Sequence, residues 1–173
     1  MISRHNKLRD VIAATAAAAS LSPRVEAKGL VAGANYRPGD VYLAGWPQGR
    51  NTALDITVVN PLQDLYIQQA AATPGAALEG ACKRKWAQAG DYCRREGLAF
   101  QPIALESLGG FHSEAVEVVK RLTSILARNN GQDEKEAARH CFQRMSLVLQ
   151  QGNAEMIIHR LPPIPTAEID SVE

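Results

Sequence analysis

Apolar residues recur along this chain at two spacings. Between residues 37 and 59 they alternate with polar ones. Arg37-Pro38-Gly39-Asp40-Val41-Tyr42-Leu43-Ala44-Gly45-Trp46 and Thr52-Ala53-Leu54-Asp55-Ile56-Thr57-Val58-Val59 read as two strands joined by the polar turn Pro47-Gln48-Gly49-Arg50-Asn51. In the second strand Leu54, Ile56 and Val58 share one face, and Asp55, Thr57 and Val59 the other. Further on the period lengthens. Ala115, Val118, Val119, Leu122 and Ile125 form one helical stripe, and Ala137, Ala138, Cys141, Met145, Val148 and Leu149 another.

The same reading supplies the remaining elements. Good helix formers from Arg4 to Ala19 predict a first helix, closed by Ser20-Leu21-Ser22-Pro23. Arg24–Lys28 reads as a first strand, with Gly29 and Gly33 loosening the segment after it. Residues 62–72 read as a helix broken by Thr73-Pro74-Gly75, and a longer helix runs from Ala76 to Glu96, with Gly90 as its point of interruption. Leu98–Glu106 is a strand, Ser113 the N-cap of the next helix, and Asp133–Gln151 the last helix. A short apolar piece at Met156-Ile157-Ile158 precedes the prolines 162, 163 and 165. The order is helix, three strands, helix, strand, helices, which predicts an α/β fold with a mixed sheet. It divides into a core over 1–112, C-terminal helices over 113–160 packed on that core, and an extended tail over 161–173.

A chain of 173 residues with 46% hydrophobic residues builds one ordinary globular core, and no apolar run reaches the length of a membrane span. The Ala-rich start has the basic residues of a targeting peptide, but Asp10 interrupts it and no cleavage site comes after it, so it reads as a helix rather than a presequence. Three cysteines, Cys82, Cys93 and Cys141, form no even disulfide set. They point to a reducing, intracellular compartment, nuclear or cytoplasmic. A net charge of +1 means that any grip on nucleic acid comes from a local patch.

The chemistry concentrates at the two central strands. Asp55 is an acid inside an apolar strand, and burying it costs several kcal/mol, roughly, without a compensating cation or donor. Asp40 opens the preceding strand, so strand pairing brings a second carboxylate beside it. Two such acids, with the carbonyl of Ile56, make a site for a hard divalent cation, Mg²⁺ or Mn²⁺. Arg37 stands where it can clamp a phosphate. The scattered His5, His112, His140 and His159 have no zinc spacing, and there is no phosphate-cradling glycine loop.

Arg37-Pro38-Gly39-Asp40, followed by a strand and then Asp55-Ile56-Thr57-Val58-Val59, resembles the PD-(D/E)XK restriction-like nuclease motif. With Arg4-His5-Asn6, the basic run Lys83-Arg84-Lys85 and Cys93-Arg94-Arg95-Glu96-Gly97, the region 3–112 is similar to the endonuclease domain at the C-terminal end of non-LTR retrotransposon reverse transcriptases. The resemblance implies a restriction-endonuclease-like αβββαβ core and a metal-dependent DNA endonuclease that nicks target DNA. Asp40 and Asp55 would be catalytic and metal-binding. Lys85 or Lys83, on the helix after the acids, would supply the catalytic lysine, with Lys85 ranked first. Arg4, His5, Asn6, Arg37, Arg94 and Arg95 would contact DNA. The implied partners are DNA and, in a longer parent protein, the reverse transcriptase and its RNA template.

Two positions depart from the shortest form of the motif. Thr57 stands where a lysine is usual, and Gly39 replaces the residue beside the first acid. The first leaves room for a second reading, a catalytically inactive nuclease-fold remnant acting as a nucleic-acid-binding or protein-interaction module. A third, an unrelated α/β interaction domain docking through its helices at 113–151, predicts that Asp40 and Asp55 lie far apart.

Overall fold

The computed structural model describes residues 2–28 and 37–162, with side chains from Arg4 onward. Its elements are α1 (Ile2–Ala18), β1 (Arg24–Val25), β2 (Val41–Leu43), β3 (Thr52–Val59), α2 (Ile67–Ala72), α3 (Ala76–Lys85), a π-helical turn (Trp86–Gly90), α4 (Asp91–Arg95), β4 (Ala99–Glu106), α5 (Ser113–Asn130) and α6 (Glu134–Ile158). The four strands form one mixed sheet in the order β1-β2-β3-β4. The first three run antiparallel as a meander. β4 lies parallel to β3, from Thr52↔Ala99 to Val59↔Glu106. A parallel pair requires a crossover, and α2 to α4 provide it.

The two-residue alternation of β3 and β4 sorts their side chains between two helical layers. Leu54, Ile56, Ile103 and Leu105 face α1, α5 and α6 and join Leu8, Ile12, Val119, Leu122, Met145 and Leu149 in the main core. Each such fully buried Leu or Ile contributes about 1.5–3 kcal/mol. The other face is covered by α3 to α4. There Ala53 and Phe100 meet Ala89, Cys93 and Leu98, while Val59 and Ala104 meet Tyr66, Ala77, Leu78 and Cys82. The C-terminal helices therefore share one core with the sheet. The α1 stripe Leu8, Val11, Ile12, Ala16 carries helical spacing, so the Ala-rich stretch is an inward-facing helix.

One unevenness in strand length creates the site. β2 pairs with β3 only at Thr52, Ala53 and Leu54. β3 continues to Val59, and among the described residues no strand pairs with it on that side beyond Leu54. The loop entering β2 comes close at this point: a Cβ on Gly39 would lie 2.7 Å from the Leu54 carbonyl oxygen, so only glycine fits. The Asp40 N–H then donates to that oxygen at 2.8 Å.

Several expectations change. β1 ends at Val25 instead of reaching Lys28, because Glu26 takes a left-handed φ of 51°. Gly29, Gly33 and residues 163–173 of the tail lie outside the described residues. Residues 61–66 form turns, so α2 begins only at Ile67. The long helix over 76–96 is divided by the π turn, in which the Trp86 ring lies against Gly90; a Cβ there would meet Trp86 Cε3 at 2.7 Å. The N-cap of α5 is His112, whose ring accepts from the Glu114 N–H, and not Ser113. α6 does not stop at Gln151 but absorbs Met156-Ile157-Ile158. Gly152 survives inside it because α1 passes so close that a Cβ would lie 2.6 Å from Arg4 Cβ.

Candidate active site

Asp40 lies where β2 leaves off, and its carboxylate takes up a backbone donor of β3 beyond the paired residues. Its Oδ2 accepts the Ile56 N–H at 2.7 Å, a backbone donor that β2 is too short to reach. Its Oδ1 faces His5 Nε2 at 3.2 Å and Arg37 Nη2 at 3.5 Å. The residue is only 2% exposed. Burial alone would raise its pKa. The hydrogen bond and charge of His5, the Ile56 N–H and the Arg37 charge outweigh that, and the carboxyl is held below the usual carboxylate range.

Asp55 stands next to Ile56 and points across from it, toward α3. Lys85, the last residue of α3, reaches Asp55 Oδ2 at 2.8 Å. The Asp40 and Asp55 side chains lie within hydrogen-bonding reach of one another. The expectation that an interaction domain would keep them apart is not met. Burial pushes Asp55 up, the Lys85 hydrogen bond and charge pull it down, and Asp40 pushes it up again; the net result is raised. The two acids are thus unlike. One is locked ionised by donors, and the other holds a proton more readily.

The lysines separate cleanly. Two positions along a helix turn a side chain to the opposite side. Lys83 is 75% exposed and pairs with Glu79 at 3.3 Å, one turn back on the same helix. Lys85 alone belongs to the site.

The cations and partners around the acids line a cleft of about 500 Å³: Arg4, His5, Asn6, Glu26, Arg37, Ile56, Thr57, Val58 and Lys85. The acids sit behind these side chains. α1 delivers Arg4, His5 and Asn6 together, since they occupy its first turns. Only His5 touches an acid. Arg4 Nη1 donates to Asn153 Oδ1 of α6, and burial lowers its pKa. Asn6 accepts from Arg9 at 3.4 Å. Thr57 lines the cleft without bringing a charge, so the usual lysine position is filled by a neutral side chain.

Arg94 and Arg95 lie elsewhere, and so does Glu106, the acid that ends β4. Arg94 pairs with Asp91 at 3.3 Å and lines a different cleft with Arg50, Trp86 and Arg121. Arg95 is exposed on α4. Glu106 pairs with Val59, four residues beyond Asp55 and roughly 13 Å along the strand. Sequence reasoning missed Glu26, Arg9 and Asn153. Glu26 bridges Arg9 and Arg37, holding Arg37 beside Asp40. Asn153 ties Arg4 to α6 and donates to the Ser107 carbonyl. Glu26 was signalled only as a polar residue at a strand end and Asn153 only as one after a helical glycine, while Arg9 is one more basic residue of α1.

As donors, the site offers two carboxylates and the Ile56 carbonyl. By the strand alternation, that carbonyl points to the same open side as the Ile56 N–H. These hard oxygens suit Mg²⁺, which is commonly held by one or two carboxylates with waters and phosphate oxygens. Among the described residues, no group of three or more His, Cys, Asp and Glu side chains is placed to hold a metal ion. No helix among them is long and apolar enough to cross a membrane. No known protein family matches the chain, and no curated protein does.

Proposed function

We propose that this chain is a Mg²⁺- or Mn²⁺-dependent DNA endonuclease domain of the restriction-like kind, related to those joined to retrotransposon reverse transcriptases. The observation that carries the reading is the meeting of Asp40 and Asp55 just beyond the β2–β3 pairing, with Lys85 on one of them. Element order supports the restriction-like αβββαβ core. A helix leads, three strands form an antiparallel meander, and a helical crossover returns to a strand parallel with β3.

A bound Mg²⁺ supplies positive charge on the scissile phosphate and a more acidic water. The chain's own residues do the rest. Asp40 stays ionised through His5, Arg37 and the Ile56 N–H, so it presents fixed negative charge at neutral pH. Lys85 has three donors and uses one on Asp55, leaving two to aim a water or steady a phosphate oxygen. Arg37 and Arg4 line the cleft as phosphate holds. The lysine that the shortest motif puts on the strand is thus supplied by the helix.

A second reading is a nuclease-fold module without catalysis. Asp40 favours it: one oxygen accepts the Ile56 N–H and the other faces His5 and Arg37, which is how a purely structural carboxylate is held. Nicking of supercoiled plasmid in Mg²⁺ or Mn²⁺ separates the two. The nuclease reading expects Asp55→Asn and Lys85→Met to lower the rate at least ~100-fold. Equal rates for wild type and Asp55→Asn leave the binding module.

A further inference from the structure

The molecule holds a second charged cleft, with no residue in common with the first. It has a volume of about 320 Å³ and runs along the first residues of β4, the outer strand of the sheet. The first cleft runs along Ile56, Thr57 and Val58 of β3 instead. Three arginines from three separate elements converge on it: Arg50 from the turn before β3, Arg94 from α4 and Arg121 from α5. Trp86 and Phe100 contribute its aromatic lining. They meet edge to face, with ring centroids 5.3 Å apart. Trp86 keeps 37% of its surface exposed.

Like charges gathered in one hollow repel unless something neutralises them. Among the described residues, neither Arg50 nor Arg121 has an ion-pair partner. Arg94 has only Asp91, in a pair that is 77% and 79% exposed and correspondingly weak. Two further acids stand close by: Glu114 accepts from Gln101 Nε2 at 2.7 Å and from Trp86 Nε1 at 3.3 Å, and Glu117, one turn before Arg121 on α5, lines a neighbouring cleft with it without an ion pair to it. Arginine forks match phosphate oxygens two at a time, and an aromatic wall beside them suits a sugar or base. Lys85 and Trp86 are consecutive, so the end of α3 reaches into both clefts at once.

We infer that this cleft binds the phosphate backbone of a nucleic acid strand through Arg50, Arg94 and Arg121, with Trp86 against a sugar or base, as a hold separate from the acidic site. It rests on the nuclease reading for the identity of the polyanion.

The test is the salt dependence of binding to a fluorescein-labelled, mixed-sequence single-stranded oligodeoxynucleotide. Anisotropy is read in EDTA, in an Asp55→Asn background, so that cutting plays no part. Replacing Arg50 and Arg121 together by Gln should flatten the plot of log affinity against log salt by about 1.4, since each lost phosphate contact on a single strand removes about 0.7. Affinity at low salt should fall about tenfold. The Arg50→Lys, Arg121→Lys pair keeps the charge and should keep the slope. Arg139→Gln, an exposed arginine on α6 outside the cleft, should leave it unchanged. An unchanged slope in the Gln pair, an equal loss in Arg139→Gln, or no binding by the parent at 50 mM salt, roughly the low end of the usual range, overturns the inference. Binding of the expected kind without any nicking by wild type sinks the nuclease reading alone. Nicking with an unaltered slope in the Gln pair sinks this inference alone.

Discussion

Gly39→Ala adds one methyl group at the point where the Asp40 loop crosses β3. The backbone at Gly39 is not in the left-handed region, so alanine meets no dihedral strain and the effect is purely one of space. The new Cβ would lie 2.7 Å from Leu54 O, 3.1 Å from Leu54 C and 3.3 Å from Ala53 Cβ. All three belong to a central strand, and the two of Leu54 are backbone atoms that cannot swing aside. To reach an ordinary contact of 3.4 Å the loop must retreat about 0.7 Å. That retreat stretches two bonds now near 2.8 Å, Asp40 N–H to Leu54 O and Ile56 N–H to Asp40 Oδ2. Overpacking costs about 1–3 kcal/mol and each weakened bond up to about 1. The expected loss is about 2–4 kcal/mol, or roughly 5–12 °C in melting temperature for a chain of this size. Urea denaturation and calorimetry measure the loss. The nicking rate should drop further than the unfolded fraction explains, because misplacing a catalytic group by about 1 Å costs up to ~100-fold. A Gly39→Ala protein within 0.5 kcal/mol of wild type, about the spread of neutral surface changes, would refute the close-approach argument.

The pH dependence carries two opposite signs. Asp55 is raised in the folded state, so its contribution is fully present below its ordinary 3.8 and is lost as pH rises through the folded value. Asp55→Asn should therefore raise the urea midpoint at pH 7 while abolishing nicking, and the gain should vanish below 3.8; a lower midpoint at pH 7 contradicts the assignment. Asp40 is depressed, so its contribution is present above 3.8 and lost as pH falls through the folded value. Asp40→Asn should destabilise at neutral pH, with the deficit closing in acid, as chemical denaturation across pH would record. Burial pushes the Cys82 thiol up to about 12 and Cys93 to about 11, so iodoacetamide at pH 8 should label the native protein slowly and the urea-unfolded protein fast. Lys83→Met should keep wild-type nicking where Lys85→Met loses it, since Lys83 pairs with Glu79 and Lys85 with Asp55.

The periodic parts of this fold were legible because each presents one clean stripe. α5 places Ala115, Val118, Val119 and Leu122 in the core, the positions its spacing indicates. β3 and β4 appear almost to the residue. The errors fall where a tertiary contact overrides a local signal. The last helix was expected to end at Gln151, yet α1 packs against Gly152 and the helix runs on to Ile158. Ser113 was the better local cap, but His112 already offers a ring nitrogen to Glu114. The π turn left only Gly90 as a trace, because the ring that needs that glycine belongs to Trp86, four residues earlier.

The acidic site was legible for a different reason. Asp55 among Leu54 and Ile56 breaks its own pattern, and a broken pattern demands a partner somewhere. What the sequence could not provide was the partner's direction. Asp40 and Asp55 hang from the two sides of one strand junction, so α1 compensates the first through His5 and α3 the second through Lys85. Each helix arrives from its own layer of the fold. The choice between Lys83 and Lys85 then comes from helical geometry, since of the two only Lys85 reaches Asp55. A neutral Thr57 is tolerable in such a scheme, because the positive charge enters from the helix and the strand position is left to line the cleft. The same geometry explains Gly39. Bringing Asp40 to the Ile56 N–H requires the preceding backbone to touch Leu54, and no larger residue allows that approach.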